Sequence, residues 1–184
     1  MYQRKDRTEK RVDYMNHFGL GGKVVLSFID EIEKHHPGKK FSFYFDNFFT
    51  SICLLEEIQK RSHGATGILR SNRVEKCPLI DSKRFGKLPR DTEEHFLEKD
   101  TNIIVVRWND NGIVCIASNQ HGLLPIKKAE RYSTTEKKKI VSVPHIINMY
   151  NCNMGGVDRM DENISHYRIS IRGKKWIFPY YVIF

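Results

Sequence analysis

Asp158 and Asp161 stand three residues apart in "NMGGVDRMDENI", residues 153–164, just after the pair Gly155–Gly156. Three residues is close to one helical turn, so both carboxylates can share one face of a helix. Two roles suit such a pair. A carboxylate near a helix N-terminus is favoured by the helix dipole and can simply cap and solvate the helix. Carboxylates also bind hard cations through oxygen, and two ions about 4 Å apart can stabilise the attacking and leaving oxygens of an in-line displacement. The second role needs a further acid from a separate element. Asp46 is the candidate, because it ends the aromatic run "FSFYFD" and sites in open α/β sheets collect at the carboxyl ends of strands. The candidate constellation is therefore Asp46, Asp158 and Asp161, with capping and metal binding both open on spacing alone.

The elements that would position these acids follow from periodicity. Val25, Phe28, Ile29 and Ile32 fall at helical spacing and predict a helix over 23–36, ended by Pro37 and Gly38. Phe41, Phe43, Tyr44 and Phe45 predict a short strand buried on both faces, and the neighbouring Phe48 and Phe49 are also assigned to the core. Thr50 or Ser51 can cap a helix over 51–62, and "ATGILRS" predicts another strand. Helix, strand, helix and strand in alternation argue for α/β. After Asn72 the chain turns polar, and then "NIIVVRW" and "GIVCIAS" flank "NDN" as a β-hairpin. "KKAERYSTTEKKK" is expected to be an exposed basic connector. Pro144 opens a helix that the two glycines break. The next helix would bury Val157, Met160, Ile164 and Tyr167.

The bulk properties narrow the partners. The 184 residues carry a net charge of +9, which favours polyanions such as nucleic acid. Arg168, Arg172, Lys174 and Lys175 precede Trp176 and follow Tyr167; basic groups interleaved with aromatics suit phosphate contact with base stacking, although Trp176 could equally be core. The four cysteines form no C-x-x-C pair, so neither a zinc pattern nor a disulfide framework is expected. No run approaches the roughly 18 apolar residues of a membrane span, and the charged N-terminus has no signal-peptide core. The expected location is the cytosol or the nucleus.

"FYFDNFFTS" and "YNCNMGGVDRMD", with "ATGILRSNR" between them and "IRGKKW" after them, resemble the piggyBac transposase family, and more closely the piggyBac-transposable-element-derived proteins. The resemblance covers roughly residues 18–184, with four motifs in the same order and spacing. It implies a ribonuclease-H-like (DDE/D) domain with a β-rich insertion. It also implies an acidic site that uses Mg2+ or Mn2+ to nick DNA, a freed 3′-hydroxyl that forms a hairpin on the opposite strand, and integration at TTAA. Asp46 matches the family's second catalytic aspartate, Asp158 the third, Asp161 a nearby auxiliary acid and Trp176 a tryptophan that supports DNA handling.

One departure stands out. The family's first catalytic aspartate lies on an upstream strand, and none of Asp6, Glu9, Asp13, Asp30, Glu31 or Glu33 ends an apolar strand here. "MYQRKD" resembles the tail of the family's third strand, so the first two strands and the first aspartate are expected to be absent. The terminal apolar run suggests truncation, and the family's C-terminal cysteine-rich metal-binding segment is not found. The expected organisation is an incomplete ribonuclease-H-like unit over 1–71 and 144–184, a β-rich insertion over 72–126 and a basic connector over 127–143. The strand bearing Asp46 would keep an unpaired edge able to recruit another chain, and a homodimer is considered. The expected function is DNA binding without strand cleavage. The alternatives are an active transposase completed by sequence outside this chain, and a domesticated interaction module that binds protein through 72–126.

Overall fold

Gly19, with φ of 70° and ψ of −174°, kinks the first helix, α1 (Tyr2–His35). The computed structural model describes residues 2–70, 73–74, 77–133 and 137–167, with the side chains of these except 2–11, 132–133 and 137–139. Residues 2–18 are helical, which corrects the expectation of a strand tail at "MYQRKD". The cause is a helical pair, Tyr14 and Phe18, that packs on the same core as Val25, Leu26 and Ile29. The buried face of α1 is shifted from the one expected, because Phe28 is 62% exposed while Leu26 is fully buried.

Strand β1 (Ser42–Phe45) follows, then α2 (Ile52–Lys60) and β2 (Gly64–Ile68). Ser51 caps α2, its hydroxyl accepting from Leu54 N at 3.3 Å. The helix buries Leu54, Leu55 and Ile58 completely, each contributing roughly 1.5–3 kcal/mol. Between β2 and the next hairpin, the polar stretch after Asn72 holds α3 (Ser82–Phe85) and β3 (Glu93–Leu97). The predicted hairpin is β4 (Ile104–Asn109) with β5 (Ile113–Ser118).

The five strands form one sheet in the order β1-β2-β5-β4-β3. β1 and β2 are parallel, and every other pairing is antiparallel. The strands of residues 93–118 therefore continue the sheet begun by β1 and β2. β1 stands at the edge and is not buried on both faces; of its residues only Phe45 is buried.

One sheet face packs on α1 and α2 through Val25, Leu26, Ile29, Leu54 and Leu55. The other packs on Val141, Val143, Ile146, Ile147 and Tyr150. Val141 and Val143 belong to a second correction. Residues 127–143 are not a connector but a hairpin, β6 (Lys127–Ser133) with β7 (Lys137–Val143). Its signal is the two-residue spacing of Val141 and Val143, opposite Ala129 and Lys127, which gives the ribbon an apolar base. Helix α4 (His145–Asn153) completes this layer.

The described residues divide into two units, one up to residue 154 and one from 155 to 167. In the second, α5 (Gly156–Tyr167) exposes Val157, Met160, Ile164 and Tyr167 at 54–85%, contrary to the expected burial. Helical periodicity fixed the stripe correctly but does not say whether a stripe is covered.

Candidate acidic site and nucleic-acid surfaces

Asp46 follows the last residue of β1, so the parallel β1–β2 pair delivers it to its carboxyl end. Its surroundings are built to hold the loop 46–50. Phe48 N donates to Asp46 Oδ1 at 2.9 Å, closing a small turn. Thr50, fully buried, donates its hydroxyl to the Asp46 carbonyl at 2.7 Å. Gly67 makes room for that threonine, since a Cβ there would stand 2.2 Å from Thr50 Oγ1. Gly21 admits the same loop to α1, because its Cβ would lie 3.1 Å from the Phe48 carbonyl oxygen.

Arg73 spans the loop from outside. Its Nη1 donates to the carbonyls of Phe48 at 3.0 Å and Thr50 at 3.1 Å. Arg70 lies with its guanidinium carbon 6.0 Å from the Phe48 ring centre. Phe48 itself is 45% exposed and is not core, a correction to the sequence assignment. These positioning residues escaped sequence reasoning. Arg70 and Arg73 belong to "ATGILRSNR", but nothing in that string says that the targets of Arg73 are backbone carbonyls more than twenty residues upstream.

Behind Asp46, α4 brings Tyr150. Burial, and then the Asp46 charge, push the Tyr150 phenol up to about 12. Beside it on the same face, the Tyr44 hydroxyl and His121 Nε2 are 2.9 Å apart. His121 meets His145 edge-on, with ring centroids 5.6 Å apart. Burial, with the neighbouring His145, lowers the His121 pKa from its usual 6.5. At the other end of β1 and β2, Phe41, Ser42, His63, Gly64 and Gln120 line a cavity of about 400 Å³, away from Asp46.

Asp158 and Asp161 belong to the second unit. Asp158 lies in the first turn of α5 and Asp161 one turn on, both exposed. Arg159 N donates to the Gly155 carbonyl at 3.1 Å, so the helix starts at the paired glycines. Arg168, Arg172, Lys174, Lys175 and Trp176 lie outside the described residues. Carboxylate oxygens suit Mg2+ or Mn2+. Among the described residues, however, no three His, Cys, Asp or Glu side chains gather as a metal site, and one Asp46 oxygen is already engaged by Phe48 N.

A mixed sheet with helices on one face and a hairpin and helix on the other, carrying an acid at the carboxyl end of a strand, is consistent with the ribonuclease-H-like fold of DDE-type transposases. The fold agrees with a cryo-EM structure of a piggyBac transposase synaptic complex with hairpin DNA, at a TM-score of 0.60 and 20% identity over 91% of this chain and 32% of that one. The family model described as Transposase IS4 matches residues 1–183. The chain belongs to this transposase family, in its piggyBac-type branch. It is 44% identical over 176 residues to the human PiggyBac transposable element-derived protein 3, covering 95% of this chain and 29% of that protein. It is 37% identical over 158 residues to the human PiggyBac transposable element-derived protein 2, covering 85% of this chain and 26% of that protein. The chain thus spans less than a third of the length of either relative.

Proposed function

We propose that this chain is a transposase-derived DNA-binding domain that does not cleave DNA by itself. The observation that carries the reading is the isolation of Asp46 within its sheet. β1 is an edge strand, and the chain before it is the helix α1, which holds every acid that precedes Asp46. A strand that could offer a second carboxylate beside Asp46 would have to pair with the open edge of β1. DNA as the partner is supported by the family, by the +9 charge and by the hairpin DNA held by the structural relative. In this reading Asp46, Asp158 and Asp161 are the inherited acidic residues, and Arg168, Arg172, Lys174, Lys175 and Trp176 contact DNA. Residues 1–71 and 144–184 are the two parts of the catalytic fold, with 72–126 as an insertion that extends its sheet, and the protein acts in the nucleus.

The same open edge favours one second reading. A strand from outside these 184 residues, ending in a carboxylate, would add to β1 beside Asp46 and complete an active Mg2+- or Mn2+-dependent site. Two assays, run on the purified chain alone and on the chain extended upstream by a strand ending in a carboxylate, separate the readings. Duplex DNA binding followed by fluorescence anisotropy is expected to be saturable and to weaken steeply with salt. Incubation with supercoiled plasmid and Mn2+ is expected to leave the plasmid intact in both cases. Nicking by the extended chain that disappears in Asp46→Ala would establish the active reading; absence of any DNA binding would remove both.

A further inference from the structure

The β6–β7 hairpin holds basic residues that the acidic site does not use. Between Lys127 and Val143 lie six basic residues, Lys127, Lys128, Arg131, Lys137, Lys138 and Lys139, against two acidic ones, Glu130 and Glu136. The register sets Arg131 opposite Lys139, Tyr132 opposite Lys138 and Ser133 opposite Lys137, so basic residues crowd the turn end of the ribbon. Like charges directly opposite each other disfavour a ribbon on its own. Asp110 relieves Arg131 at 3.4 Å. The other end is fixed to the sheet: Val141 and Val143 are buried, and Ser142 N donates to Asp91 Oδ1 at 2.7 Å. On that anchored end Lys127 and Lys128 remain exposed, and Ile140 is 64% exposed.

We infer that the β6–β7 ribbon enters the major groove of duplex DNA, with lysines of both strands on the flanking phosphates. This rests on the DNA-binding reading above and gives it a surface other than residues 168–176. A two-stranded ribbon has strands about 4.8 Å apart, and the B-DNA major groove, about 12 Å wide, admits one. Beyond the end anchored at Val141–Val143, residues 130–133 and 137–140 span about 14 Å, shorter than one helical turn of about 34 Å. Double-stranded RNA offers a major groove too deep and narrow to enter. A single strand would call for several stacking aromatics, and residues 127–143 contain one, Tyr132.

The test compares the full chain with two variants on a short labelled duplex at several salt concentrations. One variant carries Lys127, Lys128, Lys137, Lys138 and Lys139→Gln, and the other Arg172, Lys174 and Lys175→Gln. The ribbon variant is expected to lose roughly tenfold or more in affinity, and its plot of log K against log salt to flatten by about 4, near 0.9 for each phosphate left unneutralised. The same five lysines changed to Arg are expected to retain the slope. On the unmodified chain, duplex DNA is expected to protect these lysines from acetylation, a readout independent of how any variant folds. Unchanged affinity and slope in the ribbon variant, or lysines that DNA leaves fully reactive, would overturn the inference while leaving DNA binding through 168–176 in place. Tight binding of the chain to phosphatidylserine vesicles with no protection of these lysines by DNA would assign the ribbon to membranes and overturn it too. A chain that binds no duplex at all would remove the DNA reading and this inference together.

Discussion

Asp46 is held by its neighbours more than by its own side chain. Thr50, Gly67 and Arg73 fix the loop that carries it, and substitutions around it have distinct expected effects. Gly67→Ala places a Cβ against a fully buried threonine, so it should cost about 1–3 kcal/mol in urea unfolding. Arg73→Ala removes hydrogen bonds to two carbonyls, both within 3.1 Å, and should raise hydrogen exchange at Phe48 and Thr50 with little change in global stability. Asp46→Asn removes the negative charge that, after burial, raises the Tyr150 phenol to about 12. Ultraviolet titration should then show that tyrosine ionising at lower pH, yet still above the usual 10.0 because burial remains. At this scale, the position of Asp46 at the end of a strand was legible because it ends an aromatic run. Arg73 was not, since its role exists only once the fold sets distant carbonyls before it.

Helix and strand types were legible in several segments with one apolar face. α2, the β4–β5 hairpin and the α4–α5 break at the glycines all follow from local pattern. What local pattern missed was tertiary support. Residues 2–18 carry few apolar side chains, but Tyr14 joins Arg61 and Asp30 in a network across α1 and α2, with Arg61 Nη1 at 2.7 Å from Asp30 and Nη2 at 2.8 Å from Tyr14. Arg61→Ala should therefore cost about 2 kcal/mol, since Asp30 would lose its cationic partner and keep only the Tyr14 hydroxyl while mostly shielded from water. The joint between α4 and the sheet should be sensitive to acid. The His121 pKa is lowered in the folded chain, so the unfolded chain binds its proton first. Stability should be intact above the unfolded value of 6.5 and fall as pH drops below it. Chemical denaturation between pH 7 and pH 5 should show this loss (roughly half a unit above and one and a half units below the usual imidazole value), and His121→Gln should flatten it.

For the whole molecule, the sheet order explains both the family likeness and the proposed lack of cleavage. β1 and β2 lie side by side and parallel, and β3–β5 extend the sheet on the far side, so among the described residues the open flank beside Asp46 is the free edge of β1. That edge was legible in the sequence, because no apolar strand ending in an acid precedes the Asp46 motif. The extension of the sheet by β3–β5, and the pairing of the basic segment as a ribbon, were not, since strand partners are set by long-range packing rather than by local pattern. The most direct test of an incomplete acidic centre is calorimetric titration of Mn2+ into the purified chain and into an Asp46→Ala, Asp158→Ala double variant. The expected result is no saturable binding to either. Stoichiometric binding to the unmodified chain that vanishes in the double variant would contradict it, because the acidic residues of this chain would then hold metal without help.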